Sequence, residues 1–150
     1  MLDYIVSDQD RELIGAEAIV SIAEVLNRQF ELPELQVELS LASSEEIQQL
    51  NLEYRDLDEP TDVLSFQILS GLQEVQELPK TVSALLGSII ICPEKVETYG
   101  ETLPQMVEHG LLHLLGFDHN ADYAAWLAVE RPIVRQLAEV GIHIPEVPEQ

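Results

Sequence analysis

Cysteine is nearly absent: Cys92 stands alone in 150 residues. A single thiol excludes an internal disulfide and fits a reducing compartment. Basic residues are scarce as well, with seven lysines and arginines against 28 acids and a formal net charge of −21. Over the surface as a whole such a charge repels nucleic acid. It serves solubility alone, or a basic protein partner, unless the few cations cluster. Long apolar runs are missing too, and none approaches the roughly 18 residues a membrane span requires. The opening "MLDYIVSDQDRELIG" has no basic segment and carries acids early, unlike a secretory signal. These absences predict a soluble, cytoplasmic protein with no membrane partner. Hydrophobic residues nevertheless make up 46% of the chain, which is the composition of a globular domain. One domain over residues 1–150 is expected, ending in a short acidic tail from about residue 143 that includes "IPEVPEQ".

Periodicity supplies the elements. "LDYIV" alternates as a strand does, and from Asp10 to Phe30 apolar residues recur at helical spacing. "LQVELSLA" places Val37, Leu39 and Leu41 on one face of a half-buried strand. Ser43, with Glu46 three residues on, forms a capping box that opens a short helix. "DLDEPTD" is a loop by composition, "VLSFQIL" a strand, and "QEVQELPK" an acidic loop. "ALLGSIIICP" is apolar on both faces, as a central strand is, and Pro93 opens the helix "PEKVETYG". Two further helices follow, from Leu103–Pro104 to Leu115 and from about Ala121 to Val140, with Pro132 kinking or splitting the second. The order predicts an α+β fold: a small mixed sheet of about four strands with helices packed on it.

Three of the four histidines crowd into "HGLLHLLGFDH", residues 109 to 119. His109 and His113 lie one turn apart on the same helix face, with Cβ atoms roughly 5–6 Å apart. Two imidazoles so placed converge on one metal ion at about 2.0–2.1 Å per Zn–N bond. Gly116 is the residue type that ends helices in a left-handed conformation, and the reversal brings His119 back toward the same point. Three imidazoles with an open fourth position are the arrangement of catalytic zinc. The spacing is that of the extended zinc-protease motif on a zincin-like metal helix, with one difference. Those proteases carry a glutamate base after the first histidine, where this chain has Gly110. Peptide hydrolysis is therefore disfavoured, while zinc-assisted cleavage of a phosphodiester stays open.

"HGLLHLLGFDH" resembles the His-Gly-x-Leu-His-Leu-x-Gly-[Tyr/Phe]-Asp-His signature of the YbeY family, bacterial rRNA maturation factors described as metal-dependent endoribonucleases. "LNLEYRDLDEPTDVLSF", residues 50 to 66, is similar to that family's second block, and "LGSIIIC" to its third. The resemblance covers nearly the whole chain. It implies one Zn²⁺ held by His109, His113 and His119, a functional Arg55, and a single-strand-directed endoribonuclease. The work implied is 16S rRNA 3′-end maturation and ribosome quality control. The implied partners are rRNA and the small ribosomal subunit, with a small-subunit ribosomal protein and an assembly GTPase. Three departures from the pattern stand out: Ser88 replaces an aspartate, Gln67 replaces a proline, and the segment from Cys92 to His109 is shorter.

Arg55 suits its implied role, because a guanidinium holds two phosphate oxygens at once and keeps its charge. The plain alternative is a surface ion pair with Asp56 or Asp58. Lys95 is a weaker candidate for the same cationic rim. Asp118 is a candidate catalytic residue, as a base or, more in keeping with its place, as support for a ligating imidazole. Thr61 and Asp62 shape their loop, Cys92 is a small buried hydrophobe, and nothing ties His143 to the site. Two readings follow: a zinc-dependent endoribonuclease, and a ribosome-assembly binding protein whose zinc is structural. The open metal position favours the first and the charge of −21 the second.

Overall fold

The computed structural model describes residues 1–148, so the last two residues of the expected tail lie outside it. The chain runs β1 (Leu2–Ile5), α1 (Asp8–Ile14), α2 (Ala16–Phe30), β2 (Leu35–Leu41), α3 (Ser44–Arg55) and β3 (Val63–Gln67). It continues through α4 (Leu72–Glu77), β4 (Ala84–Ile91), α5 (Pro93–Thr98), α6 (Leu103–Leu114) and α7 (Tyr123–Glu139). The four strands form one sheet in the order β1-β2-β4-β3. β1 and β4 run parallel to β2, and β3 runs antiparallel to β4, which makes the sheet mixed as expected.

Position in the sheet accounts for each strand's composition. β4 is paired on both sides, and it is apolar on both faces. Leu86, Ile89 and Ile91 enter the main core, while Ile90 joins a smaller cluster with Ile47, Leu64 and Cys92. The main core lies between the sheet and the helices α2, α6 and α7. Ile19, Ile22, Leu26, Leu111, Leu112 and Ile133 are all fully buried there. Each such side chain contributes roughly 1.5–3 kcal/mol relative to exposure, so the amphipathic stripes of these helices hold them to one face. α3 covers the other face through Ile47, and its capping box is formed. Ser43 Oγ accepts from Glu46 N–H at 3.2 Å, and Glu46 Oε1 accepts from Ser43 N–H at 3.1 Å.

Three elements differ from the sequence reading. The helix expected from Asp10 to Phe30 starts at Asp8 and is divided at Gly15, whose φ of 117° breaks the helical path. The acidic stretch expected as a loop contains α4, because Val75 is fully buried and Leu72 and Leu78 pack beside it. α7 is a single helix from Tyr123 to Glu139, so Pro132 does not split it. Trp126, Glu130, Ile133 and Leu137 are all buried along it, and that continuous packing carries the helix across the missing N–H.

Candidate metal centre

The histidine helix is fixed at both ends. At its start, Thr102 Oγ1 accepts from Gln105 N–H and Gln105 Oε1 accepts from Thr102 N–H, each at 3.2 Å. Pro104 sits in the first turn, where no N–H is needed. At its end, Phe117 N–H donates to Leu112 O and Gly116 N–H to His113 O, both at 3.0 Å. This is the bond pair of a Schellman motif, with Gly116 at the left-handed position and φ 96°. Between the ends, α6 presses on β4: a Cβ on Gly110 would lie 2.9 Å from Ile89 Cδ1 and Cγ2. A glutamate base has no room at that position.

These two ends bring the three histidines together. One ring nitrogen from each of His109, His113 and His119 lies within 4.8 Å of the others, and all three residues are half-buried. The Nε2 atoms of His109 and His113 face each other at 3.0 Å. Three nitrogens around a tetrahedral zinc stand about 3.3 Å apart, so the cluster brackets that spacing. A proton bridges the facing nitrogens only if one ring donates and the other accepts, whereas a cation satisfies both. Nδ1 of His119 is buried with no hydrogen-bond partner. Burial first, then the charges of His113 and His119, push the His109 pKa down to about 3, against the opposing pull of Asp62 and Asp118. Burial likewise lowers that of His113. Neutral imidazoles with free lone pairs are what a metal requires. The donor set and its spacing therefore fit a zinc-like ion.

Trp126 forms the wall behind the cluster. Its ring centroid lies 5.1, 5.5 and 5.2 Å from those of His109, His113 and His119. The indole is only 1% exposed, and its Nε1–H donates to Glu130 Oε1 at 3.1 Å. Glu130 in turn faces Glu108 on α6. Burial, and next the neighbouring Glu130, hold the Glu108 carboxyl protonated well above the usual carboxylate range. Sequence reasoning did not tie Trp126 to the histidines and did not find Glu108 or Glu130. The available signals were an acid on an otherwise buried helix face and a Trp–Glu pair four residues apart.

The histidines open into a cleft of about 320 Å³ that Arg55, Thr61, Asp62, Val63, Ser65, Gln67 and Asn120 also line. Arg55, at the end of α3, makes no ion pair among the described residues, so the surface pair with Asp56 or Asp58 is not formed. Its charge reaches His113. Lys95 lies on α5, outside the cleft lining, and does not join a cationic rim. Asp62 does shape its loop, accepting from Thr61 Oγ1–H and Val63 N–H at 3.1 and 2.8 Å. It also faces Glu101, which the sequence reading missed. Burial and the bond to Asp62 raise the Glu101 pKa from its ordinary value to about 8. Asp118 is exposed, and its Oδ1 accepts from Asn120 N–H at 2.9 Å in the turn between the second and third histidines. Its charge is nonetheless felt at His109 and His113. Ser88 lies away from the histidines, where its Oγ donates to Glu38 Oε2 at 3.2 Å.

The fold and site define a class: an α+β protein in which two helix-borne histidines and a third from the following turn can hold a metal ion in a polar cleft. The chain belongs to the YbeY family. The family profile described as Endoribonuclease YbeY matches residues 5–127. A protein of that name from Sulfurovum sp. (strain NBC37-1) is 38% identical, with 82% of each chain covered. Another so named, from Francisella tularensis subsp. holarctica (strain FTNF002-00 / FTA), is 27% identical over 97% of this chain and 92% of its own. A Thermotoga maritima protein of known solution structure superimposes with a TM-score of 0.51 at 25% identity, covering 93% of this chain and 89% of that one. Across the described residues, no helix is long and apolar enough to cross a membrane.

Proposed function

We propose that the protein is a zinc-dependent endoribonuclease directed at single-stranded RNA, acting in the cytoplasm on the 3′ end of small-subunit rRNA and in ribosome quality control. One observation carries this reading: three converging imidazoles share a cleft with an arginine that makes no ion pair among the described residues. His109, His113 and His119 would hold the ion. Zinc, when bound, lowers the pKa of water to about 7 and polarises a phosphoryl oxygen. The chain supplies the rest. Arg55 binds and orients the scissile phosphate through its planar fork of donors. Trp126 locks the imidazoles in place and keeps water from their rear. Gly110 leaves the helix itself without a carboxylate beside the ion, so Asp62 is the acid of the cleft lining that an anionic substrate meets. Asp118 supports the turn that carries His119.

The implied partners are rRNA within the small subunit, a small-subunit ribosomal protein and an assembly GTPase. A second reading, an assembly factor with a structural zinc, is favoured by the net charge of −21. The deciding experiment is cleavage of a small-subunit rRNA precursor by zinc-loaded protein beside its His113→Ala variant, purified identically. Cleavage by the first alone supports the enzyme. Equal cleavage by both, or by neither, defeats it.

A further inference from the structure

β3 is an outer strand of the sheet, and the register tells which of its backbone groups are free. At one end of the β3–β4 ladder Cys92 N–H donates to Asp62 O at 2.8 Å, and at the other Ile68 N–H donates to Leu86 O at 3.0 Å. Between them Val63 opposes Ile91, Leu64 opposes Ile90, and so on to Gln67 opposite Gly87. Antiparallel pairs alternate between bonded and non-bonded, so Leu64 and Phe66 make the ladder bonds. Val63, Ser65 and Gln67 therefore turn their N–H and C=O groups away from β4. Asp62 Oδ1 takes the Val63 N–H. The N–H groups of Ser65 and Gln67 have no such partner among the described residues. The side chains of these same three residues line the metal cleft.

Strand edges of this kind are normally blunted by proline, lysine or a bulge. Residues 63–67 contain neither proline nor lysine. At position 67, where the motif quoted above leads one to expect proline, glutamine keeps its N–H, and its Nε2–H donates to Leu114 O at 3.2 Å at the end of α6. The edge is thus open beside the histidine cluster, in a cleft whose lining has Arg55 as its one lysine or arginine.

We propose that the free edge of β3 is the track that holds single-stranded RNA, with Ser65 N–H and C=O paired to the Watson–Crick edge of one unpaired base and Gln67 N–H to a group of the next. This rests on the nuclease reading. Every base carries a donor beside an acceptor on that edge, so a residue offering both binds any unpaired base. In a duplex those edges are already engaged, which makes the track selective for single strands. Backbone amides are neutral, so the track needs no row of cations. That resolves how a chain of net charge −21 holds a polyanion. An extended polypeptide is the less favoured occupant. It would pair with Val63 C=O and with both groups of Ser65 and Gln67, and it would leave the Arg55 charge in the cleft without a phosphate to bind.

The test is binding of a fluorescent, unstructured oligouridylate to the zinc-loaded full chain over a range of salt. With Arg55 and the bound ion as the only cations in the cleft, log affinity should fall with log salt at a slope of about −0.7 to −1.4, for one or two phosphates neutralised. Gln67→Pro should bind about threefold to tenfold more weakly than Gln67→Ala, the value of one hydrogen bond, with equal zinc content. Independently of any variant, a 2′-O-methyl oligouridylate should shift the backbone amide resonances of Ser65 and Gln67 in the unaltered protein. A slope of several units, equal affinity of the two variants, or unmoved amides would each overturn the proposal. So would amides that respond to an alternating Thr-Lys peptide and not to the oligonucleotide. If those results accompany rRNA cleavage, the nuclease reading survives alone. If the unaltered protein neither binds nor cleaves, both fall.

Discussion

Replacing Gly116 by alanine tests the link between local helix geometry and the metal site. Gly116 has φ 96°, and its N–H and that of Phe117 close the end of α6 on His113 O and Leu112 O. An L-residue in left-handed backbone costs roughly 1–2 kcal/mol. The reduced freedom of the unfolded chain returns about 0.4–1 kcal/mol of that. Packing adds little, because the new Cβ would stand 3.4 Å from Gly71 Cα, at the near limit of ordinary contact. The net loss is about 1 kcal/mol, and for a chain of this length that lowers Tm by about 2–4 °C. A second effect matters more for function. His119 follows the turn by three residues, so relaxing the strain moves its imidazole away from His109 and His113. Calorimetric melting with and without zinc separates the two effects, since ligand stabilisation scales with RT ln(1 + [Zn]/Kd). Gly116→Ala should lower the metal-free Tm and also shrink the increment that zinc adds. Gly116→Asn, which tolerates left-handed backbone better, should recover part of both. An unchanged metal-free Tm together with an unchanged zinc increment would refute the reasoning.

Arg55→Ala should reduce RNA cleavage by tenfold or more while zinc content by metal analysis stays at the unaltered level. Loss of zinc with the activity would make Arg55 structural instead. Gly110→Glu should gain no peptidase activity and should lose about 1–3 kcal/mol of stability through overpacking on Ile89, as measured in denaturant. Inorganic phosphate should inhibit the zinc-loaded protein better than a hydroxamate peptide mimic, and the reverse order with measurable proteolysis would overturn the nuclease reading. Glu101 predicts a pH dependence. Folding raises its pKa from the ordinary 4.5 to about 8, so its contribution is full below about 4.5 and is lost as pH rises through about 8. Metal-free Tm should therefore decline more steeply over that window in the unaltered protein than in Glu101→Gln, and parallel profiles would count against the carboxyl pair.

Much of the site was legible because its geometry is local. The separation of His109 and His113 is a property of one helix, and the return of His119 follows from one glycine at the helix end. The capping box at Ser43 and the doubly apolar β4 were readable for the same reason. What escaped depends on residues distant in sequence. Asp62 and Glu101 become neighbours only when β3 and the start of α6 meet. Glu108 reads as one more surface acid until α7 places Glu130 against it. Trp126 reads as core, which it is, but nothing in its own segment says that three imidazoles form its other side. Composition misled at α4, where glutamates and glutamines masked the buried Val75. Periodicity misled at Gly15, because the apolar stripe continues across the break between α1 and α2.

The buried carboxyl pairs change how the charge of this chain should be read. The formal value of −21 counts every acid as ionised. Glu101 and Glu108 are both held protonated, each by burial first and then by a partner carboxylate. Glu101 stands against Asp62 of the cleft lining and Glu108 beside Glu130 behind the histidines, so the negative field around the cluster is weaker than the formal count implies. The pairs also do mechanical work. Glu108 of α6 faces Glu130 of α7, and Glu130 is held by the indole N–H of the residue that walls in the imidazoles. On its opposite side α6 is pressed onto Ile89 at Gly110. With Glu108 buried on the α7 side and Gly110 pressed on Ile89, the positions flanking His109 are both packed, which leaves its ring little freedom to turn. An acidic protein thus keeps a cleft fit for an anion by pairing the acids it cannot remove and by placing glycine where a protease has its base.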